Sequence, residues 1–262
     1  MIEKPYIGVT GISTKHEAYS LVESLSEQEL TNPESIYQGM AGYLLSRRTV
    51  TKNLPTRPQY PGMDDLPTLL KITKDHAFNT LHYTTADMST LYTQLTEALD
   101  ALHAQGEGLV EGVQLNLAWP PVEAINRLRS DHPGLKVIFQ VGPRIMDAES
   151  PDNVASRLPE YQSEIDYVLI DHSGGHGIEL EPQELAEYAH AVKQTLPNAA
   201  VVFAGGLTAE NVGEKIERLK DVTSDKFSID AQRGLRTDDK QALDLEKVRR
   251  YLKEAQTHLK SK

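Results

Sequence analysis

Two carboxylates, two glycine-rich loops and a few basic side chains carry the chemistry legible in this chain. Asp171 closes the apolar run YVLID and is followed by HSGGHG, and Asp230 closes FSID ahead of AQRGL. Gly205 and Gly206 close VVFAGG and lead into LTAENV, where a helix is predicted from Ala209. A glycine pair at such a junction lets an anion approach backbone N–H groups, and the start of a helix favours negative charge. Arg233 and Gly234, in the loop after Asp230, would serve the same anion. A carboxylate and an anion cradle on neighbouring strand ends imply a sugar-phosphate site. Asp171 and Asp230 would divide acid and base work if their surroundings separate their pKa values. The plainer readings are an aspartate that caps loop N–H groups and, for Asp230, an ion pair with Arg233 or Arg236.

Other candidates are weaker. Arg47 and Arg48 form a basic pair able to grip a carboxylate or phosphate through two nitrogens, or a solvated pair with no task. His172 and His176 flank Ser173-Gly174-Gly175 beside Asp171. A glycine loop does not fix ligands as one helix face does, so no metal is expected and His172 reads as a substrate contact or an exposed side chain. His16 and Glu17, after the first strand, are conceivable bases. The chain has no cysteine, which excludes disulfides, zinc–thiolate sites and thiol nucleophiles.

Elements that would position these groups alternate along the 262 residues. Strands are predicted at 6–12, 43–45, 80–83, 112–117, 136–141, 167–170, 200–204 and 227–230. Helices are predicted between them, with a start at Asn32-Pro33-Glu34 and spans at 66–72, 89–104, 122–129, 151–162, 182–196, 209–219 and 243–258. The strand runs are short, rich in Val, Ile and Leu, and not alternating, as parallel strands buried on both faces are. Eight strand–helix pairs fit a (β/α)8 TIM barrel over 1–262 as a single domain, with a doubly wound open sheet as runner-up. A Pro-rich loop at about 51–66, with Pro55, Pro58 and Pro61, reads equally as a mobile cover or a tolerated insertion.

The net charge of −11 argues against a nucleic-acid or anionic-membrane surface while leaving room for a small anion. No apolar run reaches the roughly 20 residues that span a bilayer, and MIEKPYIGVTG lacks a signal peptide's basic and apolar regions. The expectation is a cytoplasmic protein, with no nucleic-acid or membrane partner and no cofactor; self-association is left open.

Three segments resemble phosphoribosylanthranilate isomerase, a barrel enzyme of tryptophan biosynthesis. FAGGLTAENV is similar to that family's phosphate-loop segment LAGGLNPENV, SIDAQRGL sits where the family has VDVSSGVE, and DHSGGHG resembles its aspartate strand with the following glycines. Fainter echoes are GVTGIS for KICGIT, SRRTV for the arginine loop and GVQLNL for VQLHG. The resemblance implies an acid at Asp171, a strand-eight acid at Asp230, a carboxylate-handling arginine at Arg48 and phosphate-loop glycines at Gly205, Gly206 and Gly234. It places Thr10 where the family has its base cysteine and Asn116 where it has a histidine, both among substrate contacts. Gln232-Arg233 replaces the paired serines. A threonine hydroxyl is too weakly acidic to act alone as a base near neutrality. The expected activity is therefore acid/base isomerisation of a phosphorylated ribose-type small molecule. The alternatives are carboxylate-assisted cleavage of an N-ribosyl or glycosidic bond, and a barrel that binds a sugar phosphate without turning it over.

Overall fold

In a computed structural model, which describes residues 3–53, 57–173, 181–223 and 226–261, eight parallel strands close on themselves in sequence order. They are β1 (Tyr6–Thr10), β2 (Gln38–Ser46), β3 (Phe78–Thr84), β4 (Gly112–Leu115), β5 (Lys136–Val141), β6 (Tyr167–Ile170), β7 (Ala200–Ala204) and β8 (Ser228–Ala231). Closure comes where β8 pairs with β1, Ile7 opposite Ile229 and Gly8 opposite Asp230. The order is that of a (β/α)8 barrel, as the alternation of apolar runs predicts.

The α-helices are α1 (Lys15–Glu27), α2 (Arg47–Lys52), α3 (Leu66–Thr73), α4 (Leu91–His103), α5 (Val122–Asp131), α6 (Pro143–Met146), α7 (Pro151–Arg157), α8 (Pro182–Thr195), α9 (Val212–Val222) and α10 (Leu245–Lys260). Local chemistry sets many of their ends. Thr14 and Glu17 cap α1 reciprocally, and the Asp244 side chain accepts from Lys247 N–H at the start of α10. α10 buries Val248, Tyr251, Leu252, Ala255 and Leu259, a stripe at three- and four-residue spacing that seats one face on the barrel. No helix among the described residues is long and apolar enough to cross a membrane.

Successive strand side chains point to opposite faces, so the molecule has two apolar regions. Outward residues such as Val9, Leu81, Phe139, Ile170 and Phe203 join the helices in one cluster. Inward residues Tyr6, Met40, Phe78, Ile138, Tyr167, Leu169, Ala200, Val202 and Ala204 form the other. At the N-terminal end of the strands Tyr6, Phe78 and Tyr167 meet as a tilted aromatic trio, with ring centroids 5.3 to 5.9 Å apart. The Tyr167 hydroxyl donates to the Lys4 carbonyl at 2.9 Å. Nearer the C-terminal end the inward positions turn polar, and the site lies there.

Several expectations are corrected. Asn32-Pro33-Glu34 starts no helix: Asn32 Oδ1 accepts from Glu34 N–H in a turn, because only a few residues separate it from β2. That strand begins at Gln38, well before the predicted 43, its start hidden by Gly39 and Gly42, which lack strand-like side chains. The helix predicted over 151–162 becomes 3-10 after Arg157, where Pro159 has no N–H to give. The loop predicted from 51 begins only after α2. Its described part is tied back by Asn53 Oδ1, which accepts from Met63 N–H at 2.6 Å; residues 54–56 lie outside the described residues.

The aromatic trio fills the interior of the barrel at the N-terminal end of its strands. Phe78→Ala removes a ring that packs on both tyrosines and lies where a Cβ on Gly112 would come within 2.7 Å. It should cost about 3–5 kcal/mol, measured as a lowered denaturant midpoint with an unchanged slope.

Candidate active site

Asp171 follows β6 directly and is buried. Its Oδ1 accepts from Ser173 N–H at 2.9 Å and from Ser173 Oγ at 2.6 Å, the local turn that an aspartate before a serine favours. Its Oδ2 lies 3.4 Å from Gln140 Nε2, and Gln140 Oε1 accepts from Gln114 Nε2 at 3.0 Å. Three inward positions on β4, β5 and the end of β6 are thereby joined.

Asp230, the residue after the outward Ile229, points inward from β8 and is also buried. Thr10 Oγ1, at the end of β1, lies 3.0 Å from both carboxylate oxygens and donates to them. Small neighbours make the room: a Cβ on Gly8 would lie 2.6 Å from Asp230 Oδ1, and one on Gly42 would lie 2.2 Å from Thr10 Oγ1. Burial pushes the Asp230 pKa up to about 7, and the negative charge of Asp171 adds to the rise, while the Thr10 hydrogen bond opposes it. A carboxyl titrating near neutrality can take or give a proton at physiological pH.

Beside these acids lie the loops after β7 and β8. Gly205 and Gly206 have φ of +109° and +62°, a region that L side chains rarely enter, and a Cβ on Gly205 would sit 2.9 Å from Asp171 Oδ1. The two loops touch: a Cβ on Gly234 would come within 2.1 Å of the Leu207 carbonyl oxygen. Together with Asp171, Asp230 and Arg233 they border one cleft.

The predicted helix start is displaced. Thr208 and Asn211 bond each other in a turn, with Thr208 N–H to Asn211 Oδ1 at 2.8 Å and Asn211 N–H to Thr208 Oγ1 at 3.2 Å, and Asn211 Nδ2 donates to the Gly206 carbonyl. The helix therefore begins at Val212, not Ala209. The glycine pair is followed by a side-chain-bonded turn instead of opening the helix itself.

Of the residues read from the sequence, the cleft gathers Asp171, Asp230, Gly205, Gly206, Arg233 and Gly234, and Thr10 joins through Asp230. Asn116 borders an adjoining cleft with Gln140 and Arg144 and bonds His82, its Nδ2 at 3.2 Å from His82 Nε2. Arg48 is exposed on α2 and does not border the cleft. His172 turns outward to Asp147 (3.0 Å) and Glu184 (3.1 Å); His176 lies outside the described residues. Glu17 is spent on structure, one oxygen capping α1 and the other accepting from Leu243 N–H at 2.8 Å.

Sequence reading missed His82, Gln114, Gln140 and Ser173. A signal existed, since Gln114 and Gln140 are amides inside otherwise apolar runs and His82 shares a strand face with Phe78 and Thr80. It was obscured by taking those runs as uniformly buried.

No protein-family model matches the chain, and neither does any curated protein. Solved structures do match. Phosphoribosyl anthranilate isomerase from Thermotoga maritima is 17% identical, with a TM-score of 0.63 over 98% of this chain and 100% of that one. A phosphoribosyl anthranilate isomerase in complex with reduced 1-(o-carboxyphenylamino)-1-deoxyribulose 5-phosphate is 16% identical, with a TM-score of 0.61 and the same coverage. A Rubisco-like protein from Rhodopseudomonas palustris is 12% identical, with a TM-score of 0.59 over 96% of this chain and 63% of that one. At such identities the likeness is one of fold: the chain is a (β/α)8 barrel similar to those of the phosphoribosyl anthranilate isomerases.

The raised pKa of Asp230 has a measurable consequence. Its folded value of about 7 stands above the ordinary 3.8, so the folded state binds more protons between those limits. Stability from this group is full below pH 4 and falls as pH rises through 7. Asp230→Asn removes the decline. Calorimetry should show the variant more stable than the parent at pH 8, by on the order of 2–4 kcal/mol, and nearly equal to it at pH 4.

Proposed function

We propose that the protein isomerises a phosphorylated ribose-type sugar, holding the phosphate on the loops after β7 and β8 and moving a proton with Asp171 and Asp230. The observation that carries this reading is the meeting of two buried carboxylates and the Gly205-Gly206 loop in one cleft. In a barrel the C-terminal ends of the strands are where reacting groups are assembled. A ribulose 5-phosphate derivative occupies one of the structures with the same fold, which supports the substrate class.

Asp230 takes the place of a thiol base. Its pKa of about 7 makes it a far better proton acceptor than an ordinary aspartate while leaving a large fraction ionised at neutral pH. It removes the proton from the carbon beside the latent carbonyl. Protonated Asp171 delivers its proton to the sugar oxygen, Asp230 returns the carbon-bound proton to C1, and the C2 hydroxyl gives its proton back to Asp171 as the new carbonyl forms, so an aldose-type compound becomes its ketose-type isomer with no change of composition. Thr10 donates to Asp230 and holds it; its own hydroxyl stays protonated. Arg233 and backbone N–H groups of the two loops take the phosphate charge.

The carboxylate pair also suits cleavage of an N-ribosyl bond, in which water enters and an amine leaves. Mass spectrometry of products from phosphoribosylated amines and pentose 5-phosphates separates the two: an isomer keeps the substrate mass. Recovery of free amine and sugar phosphate would replace the isomerase reading, and binding without turnover would leave only a sugar-phosphate-binding barrel.

Asp171→Asn keeps size and hydrogen bonding but loses the transferable proton, so kcat should fall about 10²–10⁴-fold with binding largely kept. Thr10→Val should cost far less in kcat. Because the Thr10 hydrogen bond lowers the Asp230 pKa, its loss should move the corresponding limb of the pH–rate profile upward. A dead Thr10→Val enzyme that still binds ligand would reverse these roles. Gly206→Asp sets a negative charge beside the phosphate and should weaken phosphate binding by about 1 kcal/mol or more, read by titration calorimetry.

A further inference from the structure

The cleft has a second polar wall that the proton-transfer scheme does not use. His82 on β3 and Gln114 on β4 are register partners, only 9% and 1% exposed, and both border the cleft that holds Asp171 and Asp230. Each has a fully buried polar atom with no hydrogen-bond partner among the described residues, Nδ1 of His82 and Oε1 of Gln114. Unpartnered buried polar atoms cost stability, and two of them on paired residues that border one cleft are best explained by a group that arrives from outside.

The neighbours settle what each atom offers. Asn116 Nδ2 donates to His82 Nε2, so the imidazole proton sits on Nδ1, which is a donor. The Gln114 amide nitrogen is engaged by Gln140, which leaves its carbonyl oxygen as an acceptor. Burial lowers the His82 pKa to about 4, so the ring is neutral at physiological pH and keeps this donor–acceptor polarity. One donor and one acceptor on adjacent strands match a hydroxyl, whose oxygen accepts from one and whose proton goes to the other.

We propose that His82 and Gln114 form a specificity subsite for a hydroxyl of the sugar, His82 Nδ1–H donating to the hydroxyl oxygen and Gln114 Oε1 accepting its proton. The inference rests on the sugar-phosphate reading of the cleft and adds what distinguishes the sugar from its phosphate. It also explains why a histidine and a glutamine stand in a barrel interior whose lower inward positions are mainly apolar.

The test is titration calorimetry of the full chain, its His82→Leu and Gln114→Leu variants and the double variant, with D-ribulose 5-phosphate and with inorganic phosphate. Each single variant should bind the sugar phosphate about tenfold or more weakly, with phosphate affinity unchanged within about twofold. Because one hydroxyl serves both side chains, the double variant should lose less than the product of the single losses. Unchanged sugar-phosphate affinity in the variants, or an equal loss for phosphate, overturns the subsite while the phosphate site stands. A wild-type protein that binds phosphate but not D-ribulose 5-phosphate also overturns the subsite alone. A wild-type protein that binds neither overturns the sugar-phosphate reading and the subsite with it.

Discussion

A carboxylate inside a closed barrel is the constraint on which the upper half of this molecule depends. Asp230 is 6% exposed, and a charge so placed is costly unless hydrogen-bonded or neutralised. Both remedies are present. Thr10 donates to it, and burial lifts its pKa to about 7. The geometry needs space that side chains would deny, so Gly8 and Gly42 stand on the adjoining strands where any Cβ would collide with the pair. The lower half needs none of this, because Tyr6, Phe78 and Tyr167 fill it with rings.

The loops that carry the acids are braced against one another from below and behind. Arg236, 2% exposed, donates to the carbonyls of Gly11, Lys240 and Gln241. It thus links the loop after β8 to the end of β1. Glu17 binds the start of α1 to Leu243, and the close approach of Gly234 to Leu207 fastens the β8 loop to the β7 loop. Two of these contacts, Arg236 to Gly11 and Leu243 to Glu17, span more than two hundred positions of sequence and hold the segment after β8 against the end of β1, where Thr10 stands. A buried guanidinium is tolerable here because backbone carbonyls satisfy its donors.

Polar groups gathered at one end of a barrel oppose the packing that stabilises the other. His82 and Gln114 hold buried atoms with no partner among the described residues, and Asp171 and Asp230 repel each other when both are charged. The apolar lower interior and the helix-facing cluster offset this. Such a division of labour is common in enzymes, where the groups that do chemistry are seldom those that favour the fold.

What the sequence determined by itself was the architecture and which polar residues end the apolar runs. Apolar runs of three to seven residues, most of them followed by a helical segment, admit few arrangements other than a parallel sheet, closed or open. Strands at 136–141, 167–170 and 200–204 match β5, β6 and β7 residue for residue, because those runs are mostly apolar and sharply bounded. Asp171, Gly205-Gly206 and Asp230 stand out for the same reason, as polar or flexible residues at the ends of apolar runs. Tertiary structure decided the rest. The start of β2 at Gln38 depends on glycines chosen for close approach, not for strand propensity. The turn at Thr208–Asn211 rests on side-chain bonds that compete with the helix. His172 is drawn outward by Asp147 and Glu184, from elsewhere in the chain. That His82, Gln114 and Gln140 face Asp171 follows only when the sheet closes, since neighbours around a barrel are set by strand register and not by distance along the chain.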